Sequence, residues 1–118
     1  MNIFTRVAAS VQARYIIPHQ QSHFSRTKYG KQLALYKGKF TGKRCFLIGN
    51  GPSLRAEDLT RLREAGEITF AFNRIYSIFD QTPWRPNFYI SQDELMLAGC
   101  VDTVCGLKAD AKFIPIQL

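Results

Sequence analysis

A chain of 118 residues with 46% hydrophobic and 13% aromatic side chains can bury a core, which sets it apart from disordered sequences. No apolar stretch approaches the ~20 residues of a membrane span. The net charge of +7 is unevenly placed: residues 1–43 carry +8 with no acid, and the remainder, with eight basic and nine acidic side chains, carries −1.

The basic segment reads as an arm, residues 1–42, ahead of a nearly neutral domain. Val7 to Tyr15 is expected to form a short helix, Pro18 to interrupt it, and Phe24 to Tyr36 to form another. Gly38 and Gly42 mark a boundary. Arg6, Arg14 and the missing acids are features that transit peptides share, but the arm lacks the unbroken apolar core of a secretory signal. Such an arm could be a solvated segment or lie against anionic lipid, nucleic acid or another part of a larger protein. The solvated segment is the favoured reading; among partners an anionic membrane surface is the candidate and nucleic acid is disfavoured. His19 and His23 would share a helical face, yet no Cys, Asp or Glu lies near to complete a metal site.

From Arg44 the pattern becomes alternating strands and helices. Arg44 to Ile48 reads as a short apolar strand in which Cys45 packs as a small hydrophobe. Leu54, Leu59, Leu62 and Ala65 form a helical stripe ending at Gly66. Ile68 to Phe72 reads as a second strand, Arg74 to Phe79 as a short helix, and Asn87 to Ile90, after Thr82-Pro83-Trp84-Arg85-Pro86, as a third strand. Asp93 to Leu97 begins another helix, and Lys112 to Ile116 reads as a fourth strand. This alternation predicts an α/β, Rossmann-like parallel sheet with flanking helices over residues 43–118. Ending at Leu118, just past a strand and without a covering helix, reads as the N-terminal part of a larger domain. Cys100 and Cys105 lack metal or redox spacing, and three cysteines make no disulfide framework, so the expected setting is reduced and cytoplasmic, with the arm able to lie against the inner membrane.

The chemistry centres on Gly49-Asn50-Gly51-Pro52-Ser53. Neither standard phosphate pattern fits: Leu54 stands where a dinucleotide fingerprint needs its third glycine, and no lysine follows Gly51. The physics of such a corner still applies. Gly49 and Gly51 permit positive φ and close approach, Pro52 suits the first turn of a helix, and Ser53 adds a hydroxyl near free backbone donors. A plain turn accounts for the same residues. In an open parallel sheet ligands bind outside the carboxyl ends of the strands. There the corner would meet Asn73-Arg74 from strand two and Ser91-Gln92-Asp93 from strand three. Asn73 and Asp93 could each instead cap the helix that follows.

"FLIGNGPSL", "TFAFNRIYSIF" and "TPWRPNFYISQD" together resemble the family of domains similar to the archaeal 6-hydroxymethylpterin diphosphokinase, members of which occur in surface-glycan and flagellar-glycosylation loci. "GNGPSL" and Asn73-x-x-Tyr76 are also similar to the bacterial sialyltransferases of lipooligosaccharide synthesis. The resemblance covers roughly residues 43–95. It implies that Asn50, Gly51, Ser53 and Asn73 contact a donor nucleotide, with Arg74 standing where the sialyltransferases have glutamine. Ser91-Gln92-Asp93 stands where they carry an asparagine. Their catalytic histidine comes later in the chain, whereas His19 and His23 precede the sheet, so no catalytic base is assigned.

The leading expectation is the nucleotide-binding part of a glycosyltransferase-like protein of surface polysaccharide or lipopolysaccharide synthesis. Its candidate contacts are Gly49, Asn50, Gly51, Pro52, Ser53, Asn73 and Arg74, with Gln92 and Asp93 as further ligand or metal contacts. The alternatives are ATP-dependent diphosphate transfer to a pterin, where Asp93 would help hold Mg2+, and a non-catalytic binding or glycosylation accessory module.

Overall fold

The computed structural model describes residues 17–115, and the chain divides into two compact units, Met1–Gly42 and Lys43–Leu118. The helix expected over Val7 to Tyr15 and Ile116 lie outside the described residues, and the strand expected over Lys112 to Ile116 spans Ala111–Phe113, ending before Ile114.

In the first unit, α1 (Ile17–Arg26) is followed by α2 (Lys28–Ala34). Pro18, expected to end a helix that lies outside the described residues, sits in the first turn of α1, where its missing N–H removes no helical hydrogen bond. Within the helix expected over Phe24 to Tyr36, a break falls at Thr27. Its extended backbone (φ −72°, ψ 163°) ends one helix, and its Oγ1 accepts from Gly30 N at 3.1 Å to cap the next. The same hydroxyl donates to Phe24 O at 2.6 Å. Gly30 is required by contact: a Cβ there would lie 2.1 Å from Phe24 O.

In the second unit, β1 (Cys45–Ile48), β2 (Ile68–Phe72), β3 (Phe88–Ile90) and β4 (Ala111–Phe113) form one sheet in the order β1-β2-β3-β4, every pairing parallel. The protein is therefore of the α/β class expected from the alternating pattern. Among the described strands the order runs in one direction, without the reversal at which doubly wound sheets form their crevice.

The connection from β1 to β2 carries α3 (Ala56–Glu64). Glu57 and Asp58 occupy its first turn and Arg61 and Arg63 its last, matching the helix dipole. It ends in a Schellman motif. Gly66 takes φ +66°, its N–H reaches Arg63 O, and Glu67 N reaches Leu62 O, both at 3.0 Å. The β2–β3 connection holds the short helix expected over Arg74 to Phe79, as a 3₁₀ helix, Ile75–Ile78. The β3–β4 connection holds α4 (Glu94–Ala98) and α5 (Val101–Gly106).

One sheet face provides Ile48, Ala71 and Tyr89 to the core, where they join Leu59, Ile75, Trp84, Leu97, Val104 and Leu107. Trp84 is 1% exposed, with Phe79 packed edge-on at a ring distance of 6.1 Å. The opposite face, by strand alternation, carries Phe70, Phe88 and Phe113. Their rings contact one another, with Phe70 and Phe88 stacked at 4.7 Å. Cys45 and Leu47 share that face and are exposed. The expectation that Cys45 packs inside is thus corrected: β1 is an edge strand, and only Phe46 and Ile48 of its alternate positions meet the core.

Candidate functional site

The carboxyl edge of the sheet gathers the polar ends of three strands. Past β1, Asn50 donates from Nδ2 to Phe72 O, the last carbonyl of β2, at 2.9 Å. Past β2, Asn73 donates its backbone N–H to Ile90 O at 3.3 Å. Ser91, buried past β3, donates from Oγ to Asn73 Oδ1 at 3.0 Å and from its N–H to Phe113 O at 3.0 Å. The three clusters anticipated on one edge therefore adjoin there.

Asn73 holds this edge together in a backbone conformation that most residues avoid. Its φ of 48° makes it the single non-glycine residue with positive φ among the described residues. Asparagine tolerates the left-handed region better than other side chains do. The conformation is fastened from below by Tyr89, whose hydroxyl donates to Asn73 O at 2.8 Å. Burial, the first cause, raises the Tyr89 phenol above its ordinary value, so it remains a protonated donor. Tyr76 is also shifted upward, first by its hydrogen bond with Cys100 and then by burial.

The corner itself differs from the expected geometry in two respects. Positive-φ glycines among the described residues are Gly38, Gly42 and Gly66, so neither Gly49 nor Gly51 uses the left-handed region. What these two glycines provide is room. A Cβ at Gly49 would meet nothing within 4 Å, and one at Gly51 only Ser53 Oγ at 3.8 Å. Pro52, in turn, is not in the first turn of a helix. Pro52 and Ser53 form a turn closed by Leu54 N donating to Gly51 O at 3.1 Å, and α3 starts later, at Ala56. The acids Glu57 and Asp58 occupy that helix start, so its dipole is already complemented by this chain's own carboxylates.

The corner still offers donors. The backbone N–H groups of Asn50, Gly51 and Ser53 make no hydrogen bond among the described residues. Asn50 Oδ1 and Asn73 Nδ2 likewise have no partner there, since each amide uses only its other end. Arg74, exposed beside Asn73, adds a cation with no ion pair among the described residues. Such a set can accept hydrogen bonds from ribose hydroxyls through Asn50 Oδ1 and donate to phosphate or base oxygens elsewhere.

The remaining candidates divide. Gln92 is exposed and bonded to nothing among the described residues. Asp93 caps α4, with its Oδ1 accepting from Met96 N at 2.9 Å, as its capping alternative required. No group of three metal-ligating side chains occurs among the described residues.

Fold and edge together define an α/β parallel-sheet domain whose carboxyl side carries partly unpaired polar groups. No protein-family model matches the chain, and no curated protein or solved structure matches it. No helix among the described residues is long and apolar enough to cross a membrane.

Proposed function

We propose that the Lys43–Leu118 unit binds a nucleotide or nucleotide-sugar at its carboxyl edge, as the donor-binding part of a transferase of the glycosyltransferase kind, in surface polysaccharide or lipopolysaccharide synthesis. One observation carries the reading. Asn50 and Asn73, beside the corner at the carboxyl edge, are each held through one end of the amide and leave the other end, like the corner's N–H groups, without a partner among the described residues. Fixed polar groups that lack partners favour a ligand, because little ordering is left to be done when it binds. The motifs resembling the sialyltransferases and the pterin diphosphokinase-like domains fall on these same residues and supply the nucleotide and the transfer chemistry.

In this reading the N–H groups of Asn50, Gly51 and Ser53 hold phosphate oxygens, with Arg74 adding charge, while the two asparagine amides meet ribose and base. Donor binding is the role assigned, and the base for a transfer step is not assigned to any side chain.

The test is a calorimetric titration of the protein with CMP, CDP, UDP and ATP, with and without Mg2+. Gly51→Val adds a branched side chain where space is open and φ is ordinary, so the variant should fold and lose binding. Binding of a cytidine or uridine nucleotide without metal supports the donor reading. Binding of ATP alone, dependent on Mg2+, would move the assignment to diphosphate transfer. If no nucleotide binds at millimolar concentration, or Gly51→Val binds like the parent, the corner is only a turn.

A further inference from the structure

The first unit carries a separate signal that the nucleotide reading does not use. Between residues 17 and 42 it holds Arg26, Lys28, Lys31, Lys37 and Lys39 and not one Asp or Glu. Interleaved with these cations are large apolar side chains exposed to solvent: Tyr29 at 54%, Leu33 at 47% and Leu35 at 76%. Tyr29 and Leu33 are four apart within α2 and therefore share one flank of the helix. Gly30, on another side, packs against Phe24 of α1. Leu33 and Ala34, with Phe24, Tyr36 and Lys37, also line an open, almost wholly apolar groove of about 440 Å3. Beyond it Lys39 Nζ lies over the rings of Tyr36 and Phe40, at 5.4 and 5.6 Å.

We infer that this helix pair is a docking surface for an anionic lipid bilayer, lying in the headgroup plane. Charge complementarity selects the partner's sign, and the apolar side chains select its kind. A lipid surface rewards both features at once, phosphate headgroups taking the lysines and the acyl boundary taking Tyr29, Leu33 and Leu35. A nucleic-acid backbone would reward the cations alone and leave the leucines in water. At ten and seven residues the helices are far below spanning length, which is consistent with lying on a bilayer and not crossing it. Thr27 ties the two helices at their junction by bonding to both.

Co-sedimentation of the whole chain with vesicles tests this. The protein should pellet with equimolar phosphatidylcholine and phosphatidylglycerol vesicles and stay in solution with phosphatidylcholine alone. Binding should weaken as salt rises. Lys28→Gln with Lys31→Gln should lower partitioning about 25-fold, since each cation near an anionic surface contributes about fivefold. Leu33→Gln with Leu35→Gln changes no charge and should still lower it by about tenfold, through the lost apolar insertion. Circular dichroism checks the helices, and Leu35→Gln alone, at the most exposed of the three sites, serves if the double variant loses helix. The inference fails if the parent does not pellet with the anionic vesicles. It fails equally if the leucine variants bind them like the parent, the pattern expected of an arm that recognises any polyanion, duplex DNA included.

Discussion

Three asparagines separate the two edges of the sheet. Asn87, at the amino edge just before β3, uses both ends of its amide. Its Oδ1 accepts from Thr69 N at 2.9 Å and from Thr69 Oγ1 at 3.3 Å, and its Nδ2 donates to Asp110 at 3.1 Å. Its backbone carbonyl also takes the N–H groups of Asp110 and Ala111. Asn50 and Asn73, at the carboxyl edge, each use one end only. The amino edge thus ties β2, β3 and β4 together with both ends of the Asn87 amide engaged, and Arg44 and Glu67 pair at the starts of β1 and β2. The carboxyl edge is tied just enough to hold its shape, and its remaining hydrogen-bonding capacity faces outward. Equal residue types at opposite ends of one sheet therefore do different work, and the pairing of the amide decides which.

The largest expected effect lies at the amino edge. Asn87→Ala would strand the N–H of Thr69, a fully buried residue. A buried donor left without a partner costs about 1–3 kcal/mol. Urea denaturation should show a loss of that size, while any nucleotide affinity of the folded variant stays at the parent level. A stability equal to the parent's would mean that the amino edge is not the structural one.

At the carboxyl edge the order of effects should reverse. Asn73→Gly keeps a residue at ease with φ 48° and removes the amide. Stability should change little, by less than about 1 kcal/mol, since glycine relieves the left-handed strain as it deletes the Ser91 bond. Nucleotide binding should weaken by about 0.5–1.5 kcal/mol, one neutral hydrogen bond. Asn73→Ala, which deletes the amide without relieving the backbone, should lose similar affinity and also some stability. Comparing the two by calorimetry and denaturation separates the contact from the conformation.

The smallest effect concerns pH. Hydrogen bonding from the Arg44 guanidinium, with charge attraction adding to it, holds the Glu67 carboxyl below its ordinary value of 4.5 against an opposing push from burial. A depressed folded-state value means that the pair stabilises the fold above the ordinary value, and that this contribution is lost as pH falls through the folded value. Arg44 is 74% exposed, so the contribution is small. Glu67→Gln should remove this part of the acid sensitivity, seen as a flatter dependence of the urea midpoint on pH in the acid range. An unchanged slope would show the pair to be without consequence for stability.

Much of the second unit was legible in the sequence. Apolar runs rich in Phe, Ile and Tyr marked the four strands, and the Leu59–Leu62 stripe with Gly66 marked α3 and its end. Short or mixed segments were not legible: α5, Val101–Gly106, has no clear apolar period, and Thr27 divides what reads as one helix through a hydroxyl bond that composition does not advertise. Within the site, Asn50 and Asn73 were picked out by their place after strands. That Asn73 would be the left-handed residue, and the corner glycines ordinary ones, could not be read, since φ at a strand end depends on which neighbouring strand the chain must meet. The Asn87 network was missed altogether. Its partners lie 18 and 23 residues away, and no local pattern announces a contact at that separation.

Amide chemical-shift mapping during titration with cytidine monophosphate tests the central claim most directly, because it reads both edges in one experiment. Shifts are expected only at Gly49, Asn50, Gly51, Ser53, Asn73, Arg74 and Ser91 through Asp93, with Arg44, Glu67, Asn87 and Asp110 unmoved. Shifts at the amino edge instead, or none at saturating nucleotide, would contradict it.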